Sequence, residues 1–169
     1  MIKKFVLFAL LLIPVGAFAQ EIKIAYLNSA EVITAMPEYT QMQDSVQKMT
    51  SAVQAELKTM EEEYALKYEA LMRESDTLVE SIRIKRLQEI QDIEQRANTF
   101  QQQQQQQLQQ LQESLFIPIQ EKLKTAVDAV GVENNFTYIF NATPNLLLYI
   151  NPTSSIDATP LVKRKLGLK

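Results

Sequence analysis

Between Pro37 and Gly131 no glycine interrupts the chain, and the only proline inside that stretch is Pro118. Glycine and proline are the residues a helix tolerates least, costing about 1 and about 3 kcal/mol relative to alanine. A stretch this long without them therefore favours helix throughout. Its apolar residues recur at steps of three and four: Met42, Val46, Met49, Val53, Leu57, Met60, Tyr64, Tyr68 and Leu71, then Val79, Ile82, Ile90 and Ile93. That spacing lays one apolar stripe along a helix. The pattern is closer to an eleven-residue repeat than to a strict heptad, which predicts weak supercoiling. A single helix of this length is implausible in a small domain, so the stretch must break. The stripe lapses at Arg73-Glu74-Ser75-Asp76-Thr77, where turn-forming residues cluster. The expectation is a helical hairpin, an arm with its tip near Asp76 and a first helix roughly 55 Å long.

The start of the chain has a different composition. Lys3 and Lys4 precede a short apolar run, Phe5 to Val15, and Ala17-Phe18-Ala19 is a small-x-small site. These are the parts of a cleavable secretory leader over residues 1–19, with the exported chain starting at Gln20. Export would permit disulfides, but there is no cysteine to form one. Without the two leader lysines, fifteen basic residues face twenty acidic ones, a net charge of −5. That sign, like export itself, argues against nucleic acid as a partner. Histidine, cysteine and tryptophan are all absent. Imidazole and thiol catalysis are thereby excluded, an ordinary zinc site is not expected, and no cofactor is implied. Glu61-Glu62-Glu63 lacks the alternating carboxylate pattern of a calcium loop and reads as a solvated helix face. No catalytic constellation is present, so the chain does not read as an enzyme.

The two ends of the chain supply a small body, over residues 20–36 and 132–169, from which the arm at 37–131 projects. Ile22 to Leu27 alternates as a strand does. Asn28 and Glu31 have the spacing of a helix cap with its reciprocal glutamate, predicting a helix from Ser29 to Met36, and Pro37 suits the first turn of the next. Gly131 is the expected left-handed stop of the return helix. Phe136 to Phe140 and Leu146 to Ile150 read as two strands joined by a turn at Thr143-Pro144-Asn145, hence as a hairpin. Thr159 looks like an N-cap with Pro160 in the first helical turn, and the closing helix ends at Lys163-Arg164-Lys165 before Gly167. The fold class is α+β: a long antiparallel helical hairpin on a small β body formed by both chain ends. So few strands, apolar on both faces, need another surface to cover them. Oligomerisation through the body is the consequence, with Ile22, Ile24, Tyr26, Tyr138, Phe140, Leu147 and Tyr149 as the candidate interface residues.

Two features of the arm bear on function. Five of the six methionines, Met36, Met42, Met49, Met60 and Met72, lie in or beside its first helix. Methionine-rich surfaces repack around varied partners. The candidate binding set is therefore Met42, Met49, Met60, Tyr68 and Met72. The competing reading is that these side chains fill the seam between the helices, which their place on the stripe favours, with Met72 as the exception. The second feature is Gln101 to Gln107, an unbroken glutamine run inside a segment, 101–112, where ten of twelve residues are glutamine. Phe100 and Leu108 keep helical spacing on either side, so the run reads as solvated helix rather than disorder. It leaves two turns without an apolar seam residue, facing roughly Gln47 to Ser51. A loosely packed mid-arm is expected there, and Pro118 adds either a second bend or a helix end.

The order of these elements resembles the Skp/OmpH family of periplasmic chaperones. The resemblance rests on the leader, Lys23-Ile24-Ala25-Tyr26-Leu27-Asn28, the long hairpin, the late strand pair and the last helix. In the closing segment Asp157, Thr159, Val162 and Leu166 match the family's Asp-x-Thr-x-x-Val-x-x-x-Leu pattern. It implies a homotrimer with a β body and three helical tentacles around a cavity, holding unfolded outer-membrane proteins in transit without ATP. Members of this kind are often strongly basic, whereas this chain is mildly acidic once the leader is removed. Basic residues remain at the tip, Arg73, Arg83, Lys85 and Arg86, so that at most a weak contact with the membrane surface is implied. The alternative from another class is a periplasmic coiled-coil spacer that joins folded envelope partners. Such a spacer would keep a continuous seam.

Overall fold

The computed structural model describes residues 22–74, 76–143 and 147–168. The leader expected at 1–19 lies outside them, as do Ser75 and most of the predicted turn at 143–145. In chain order the elements are strand β1 (Ile24–Leu27), helix α1 (Ser29–Ala35), helix α2 (Pro37–Glu74), helix α3 (Glu80–Glu133), strands β2 (Tyr138–Asn141) and β3 (Ser155–Asp157), and helix α4 (Thr159–Lys165).

Helices α2 and α3 form the arm. With 38 residues, α2 is about 57 Å long. It starts at Pro37, whose missing N–H costs nothing in a first turn. It ends at Glu74, and the chain reverses through 76–79, beside the lapse in the apolar stripe at 73–77. Helix α3 has 54 residues and runs through Pro118 without ending. Pro118 removes one hydrogen bond from the helix, and it stands on an exposed face where water can serve the freed carbonyl.

The body is a three-stranded sheet in the order β2-β1-β3, and both pairings are parallel. One face packs on the last third of α3 and on α1 and α4. Ala25, Leu27, Val32, Leu123, Ala126, Val130, Ala158 and Val162 form the buried core there, each at most 9% exposed. Because β1 is central, both later strands must return to it from outside, one after the whole arm and one after a loop.

The hairpin expected at 136–150 is therefore not formed. The first of its strands exists, shifted to Tyr138–Asn141, but it pairs with β1. Residues 147–150 are irregular, and Leu148 is fully exposed. The place beside β1 goes to Ser155–Asp157 because that segment is pinned at its junction with α4. Asp157 Oδ1 accepts from the Thr159 N–H at 2.9 Å, Ala158 donates its N–H to Tyr26 O at 2.8 Å, and Thr159 Oγ1 accepts from the Asn28 N–H at 3.1 Å. Thr159 is thus no N-cap. It is a buried residue stitching α4 to the end of β1, and Asp157 serves its N–H.

Two other helix ends also differ from expectation. Asn28 Oδ1 does accept from the Glu31 N–H at 3.1 Å, but the Glu31 carboxylate pairs with Lys163 at 2.7 Å instead of reaching back. Gly131 lies inside α3, which continues to Glu133. The left-handed residue is Asn135, with φ 54°, and the Asn134 side chain donates to Val130 O at 2.8 Å. Gly167, with φ 72°, does occupy a left-handed position after α4.

Candidate functional site

The distal third of the arm has two unlike flanks. Tyr64, Tyr68 and Met72 fall at every fourth position of α2 and so share one side. The two tyrosine rings stack with centroids 5.9 Å apart and planes within 9°. On the other side Glu63, Lys67 and Glu74 reach across to Arg96, Glu89 and Arg86 at 3.5, 2.9 and 2.8 Å. Between the flanks Leu71, Ile90 and Ile93 close the seam, and Ile93 is 2% exposed. Ile93 floors a groove on each side. One is lined by Glu63, Lys67, Glu89, Asp92 and Arg96 among others, the other by Met60, Glu61, Tyr64, Glu94, Ala97 and Asn98. Desolvation first, then a hydrogen bond to Glu94, hold the Tyr64 hydroxyl above the usual phenol range.

Exposed apolar side chains gather in this third. Leu66, Tyr68, Met72, Val79, Ile82, Ile84 and Leu87 are all exposed, whereas none of the large apolar residues at 29–65 or 88–116 is. Exposed apolar groups concentrated in one region, rather than scattered singly, mark a surface that contacts something. Of the methionines, Met36 is buried, and Met42, Met49 and Met60 are half-buried along the seam. Of the candidate binding residues only Tyr68 and Met72 stand free of the seam. The exposed residues Leu66, Ile84 and Leu87 were not among the candidates because they fall off the stripe. An apolar residue off the packing stripe was itself the available signal.

The basic tip residues do not form a positive patch. Arg83 pairs with Glu80 at 2.6 Å and Arg86 with Glu74, leaving Arg73 and Lys85 exposed. Between residues 70 and 90 four basic side chains are matched by four acidic ones.

The middle of the arm is different again. No residue is buried between Met36 and Leu71 along the first helix, nor between Ile93 and Ile119 along the second. The ion pairs Glu38–Lys122 and Glu63–Arg96 bracket this region. Equal helical rise from either pair puts the glutamine run opposite residues 52–58, not opposite Gln47 to Ser51 as expected. Gln104 consequently takes the seam position facing half-buried Val53 and Leu57.

The second exposed apolar zone is the outer face of the sheet. Ile24 and Tyr26 on β1 and Tyr138 and Phe140 on β2 project to the side opposite Ala25 and Leu27, because strand side chains alternate. The Tyr138 and Phe140 rings are 5.8 Å apart. Ile24, Tyr26, Phe140, Leu147 and Tyr149 line one notch, so the fold gathers these candidate interface residues although the segment at 147–150 is not a strand. Ile22 is exposed just ahead of them, and Leu148, which sequence reasoning passed over, is wholly exposed beside them. Both outer strands also keep a free edge. Among the described residues no group of acidic side chains is arranged to hold a metal ion, and no helix is long and apolar enough to cross a membrane.

Comparison with known proteins agrees with this architecture. Residues 23–166 match the family described as outer membrane protein (OmpH-like). A crystal structure of an OmpH-like protein from Caulobacter crescentus CB15, assigned as an outer membrane chaperone, superposes with a TM-score of 0.74 at 14% identity, covering 86% of this chain and 83% of that one. No curated protein matches the chain.

Proposed function

The chain belongs to the OmpH family, and on that premise we propose that it is an ATP-independent holdase that keeps unfolded outer-membrane β-barrel proteins soluble in the periplasm. The observation that supports this reading is the concentration of exposed apolar surface in two zones at opposite ends of the molecule, the outer face of the sheet and the distal arm, with Ile117, Val132 and Ile156 outside both. A small parallel sheet with one bare face is unfinished alone, because parallel sheets are ordinarily covered on both faces. Copies of the chain, three on the family pattern, cover that face mutually and set their arms around a shared space. The second zone then faces whatever occupies that space.

A carrier of unfolded chains needs contacts that are numerous and individually weak. A mobile client loses little ordering entropy at each such contact. Several arms in one assembly raise the effective concentration of the next contact, so weak sites retain a client without a nucleotide cycle. A spacer between folded partners would instead gain from a continuous buried seam, and this arm has none between Ile93 and Ile119.

The test is light scattering after size exclusion, with a urea-denatured β-barrel protein diluted into buffer containing the purified chain. A soluble peak with the mass of three chains plus one client is the expected result. Precipitation of the client while the chain elutes unchanged would refute the holdase reading.

A further inference from the structure

The geometry points to the Tyr64–Tyr68–Met72 flank of the arm as a docking surface for extended, unfolded segments that present apolar side chains together with arginine or lysine on the same face. This deepens the holdase reading and rests on it.

The apolar half of the argument is one of spacing. Tyr64, Tyr68 and Met72 succeed one another at about 6 Å along the helix axis, four residues at 1.5 Å each. Every second side chain of an extended segment recurs at nearly the same interval, about 6.6 Å. A strand-like client lying along the arm can therefore set consecutive inward side chains against consecutive residues of this flank.

The charged half is one of complementarity. The groove beside Tyr64 carries Glu61 and Glu94 at its walls and no basic residue. Across the seam the opposite groove pairs Glu63 with Arg96 and Glu89 with Lys67, and Asp92 is its third carboxylate. The two flanks thus differ in degree, one with two cations among three carboxylates and one with two carboxylates and no cation of its own. The stacked rings of Tyr64 and Tyr68 add aromatic faces, to which a guanidinium or ammonium group is attracted. The imbalance extends along the arm. Residues 37–133 carry seventeen acidic against ten basic side chains, and residues 56–69 and 89–96 together carry eight against three. A segment bearing aspartate or glutamate would meet like charge on this flank, and repulsion of that kind produces selectivity as effectively as attraction does.

Binding of two labelled peptides of equal length to the purified protein, measured by anisotropy at physiological salt, tests the inference. In both, every second residue is serine and the residues between run leucine, X, tyrosine, X along one face, where X is arginine in one peptide and aspartate in the other. The arginine peptide is expected to bind at least about tenfold more tightly, the scale of one exposed cation–π contact plus a charge pair. The E61Q/E94Q double variant, with unchanged helical content, should remove most of that advantage. Equal binding of the two peptides, or an advantage untouched by E61Q/E94Q, would overturn the inference. If an unfolded β-barrel protein is still held soluble in that case, the holdase reading survives and only the charge preference falls. If the barrel protein precipitates, both fall together.

Discussion

Replacing Gly131 by alanine distinguishes two accounts of how α3 ends. In the structure Gly131 is helical, two residues before the last helical residue, and a Cβ built there meets only Ile139 Cδ1, at an ordinary contact distance of 3.7 Å. An alanine in that position gains the helix propensity that glycine lacks, about 0.5–1 kcal/mol, reduced somewhat by fraying so near the end. For a chain of this size that raises the melting temperature by about 1–4 °C. Had Gly131 been the left-handed stop suggested by its position, the new Cβ would have cost roughly 1–2 kcal/mol instead. The prediction is therefore one of sign. Urea unfolding monitored by far-ultraviolet circular dichroism measures it, at one fixed protein concentration because assembly contributes to apparent stability. Asn135→Gly, at the position that does have φ 54°, should also stabilise, and Asn135→Val should destabilise. A lower midpoint for Gly131→Ala would refute the placement of the helix end and with it the packing of Ile139.

Phe140→Asp or Leu147→Asp should reduce the native mass toward that of a single chain; an unchanged mass would contradict the proposed interface. Amides at 101–107 should exchange with deuterium faster than those in the flanking turns, and Gln104→Leu should slow them. Equal exchange would show a mid-arm as tightly packed as its neighbours. Hydrogen bonds from Lys122 and Lys67 hold the Glu38 and Glu89 carboxyls below their ordinary value of 4.5. A depressed carboxyl contributes stability that is present above that value and lost as pH falls through the depressed one. Acidification below about pH 4.5 should thus loosen the arm, and Lys67→Gln should make it less sensitive to acid. A variant as acid-sensitive as the parent would rule out that pair as a contributor.

What could be read from sequence and what could not divide along the range of the interactions involved. The arm, its tip and the Asn28 cap are decided by residues close together in the chain. The lapse at 73–77 marks the reversal, and Asn28 reaches a donor only three residues away. The sheet is decided at long range. Thr143-Pro144-Asn145 and the alternation after it are good local hairpin signals, yet the pairing depends on what β1 needs and on Thr159 reaching Asn28 across 131 residues of sequence. Ser155–Asp157 has little strand character of its own and is a strand because both of its ends are tied. Strand preference of this kind reflects a surface to pack against more than a property of the segment. Residues 147–150, rich in strand-favouring side chains, border the notch beside Ile24, Tyr26 and Phe140 but pair with no strand of the sheet. Asn134-Asn135 competed with Gly131 as a stop signal, since asparagine also accepts left-handed backbone. The proposed binding surface was half legible: Tyr68 and Met72 lay on or beside the stripe, whereas Ile84 and Leu87 stood off it. The match of Asp157, Thr159, Val162 and Leu166 to a family pattern has a structural explanation. The first two pin α4 to β1, Val162 is fully buried in the body core and Leu166 packs against it.

The arm's packing is unevenly distributed, and on the holdase reading that bears on how weak contacts would hold a client. Among the described residues no ion pair crosses the arm between Glu38–Lys122 and Glu63–Arg96, and no side chain is buried there except Ile119, at the body end beside Lys122. The distal third has three crossing pairs and three buried residues, Leu71, Ile90 and Ile93. Exposed pairs of this kind contribute about 0–1 kcal/mol each, whereas burying one such side chain contributes about 1.5–3 kcal/mol. The three apolar residues therefore dominate the rigidity of the end that carries the apolar surface. A bend in the middle moves that surface as a unit without rearranging it, so a client meets residues already in place and the cost of ordering them is avoided. Ile93→Ala removes the best-buried of the three and should cost about 2–4 kcal/mol, confined to the distal third. Retention of an unfolded β-barrel protein should fall while the native mass of the assembly stays constant. Val53→Ala, in the region that already lacks burial, should leave both unchanged. Loss of retention from Val53→Ala with none from Ile93→Ala would place the working surface in the middle of the arm and refute the distal assignment.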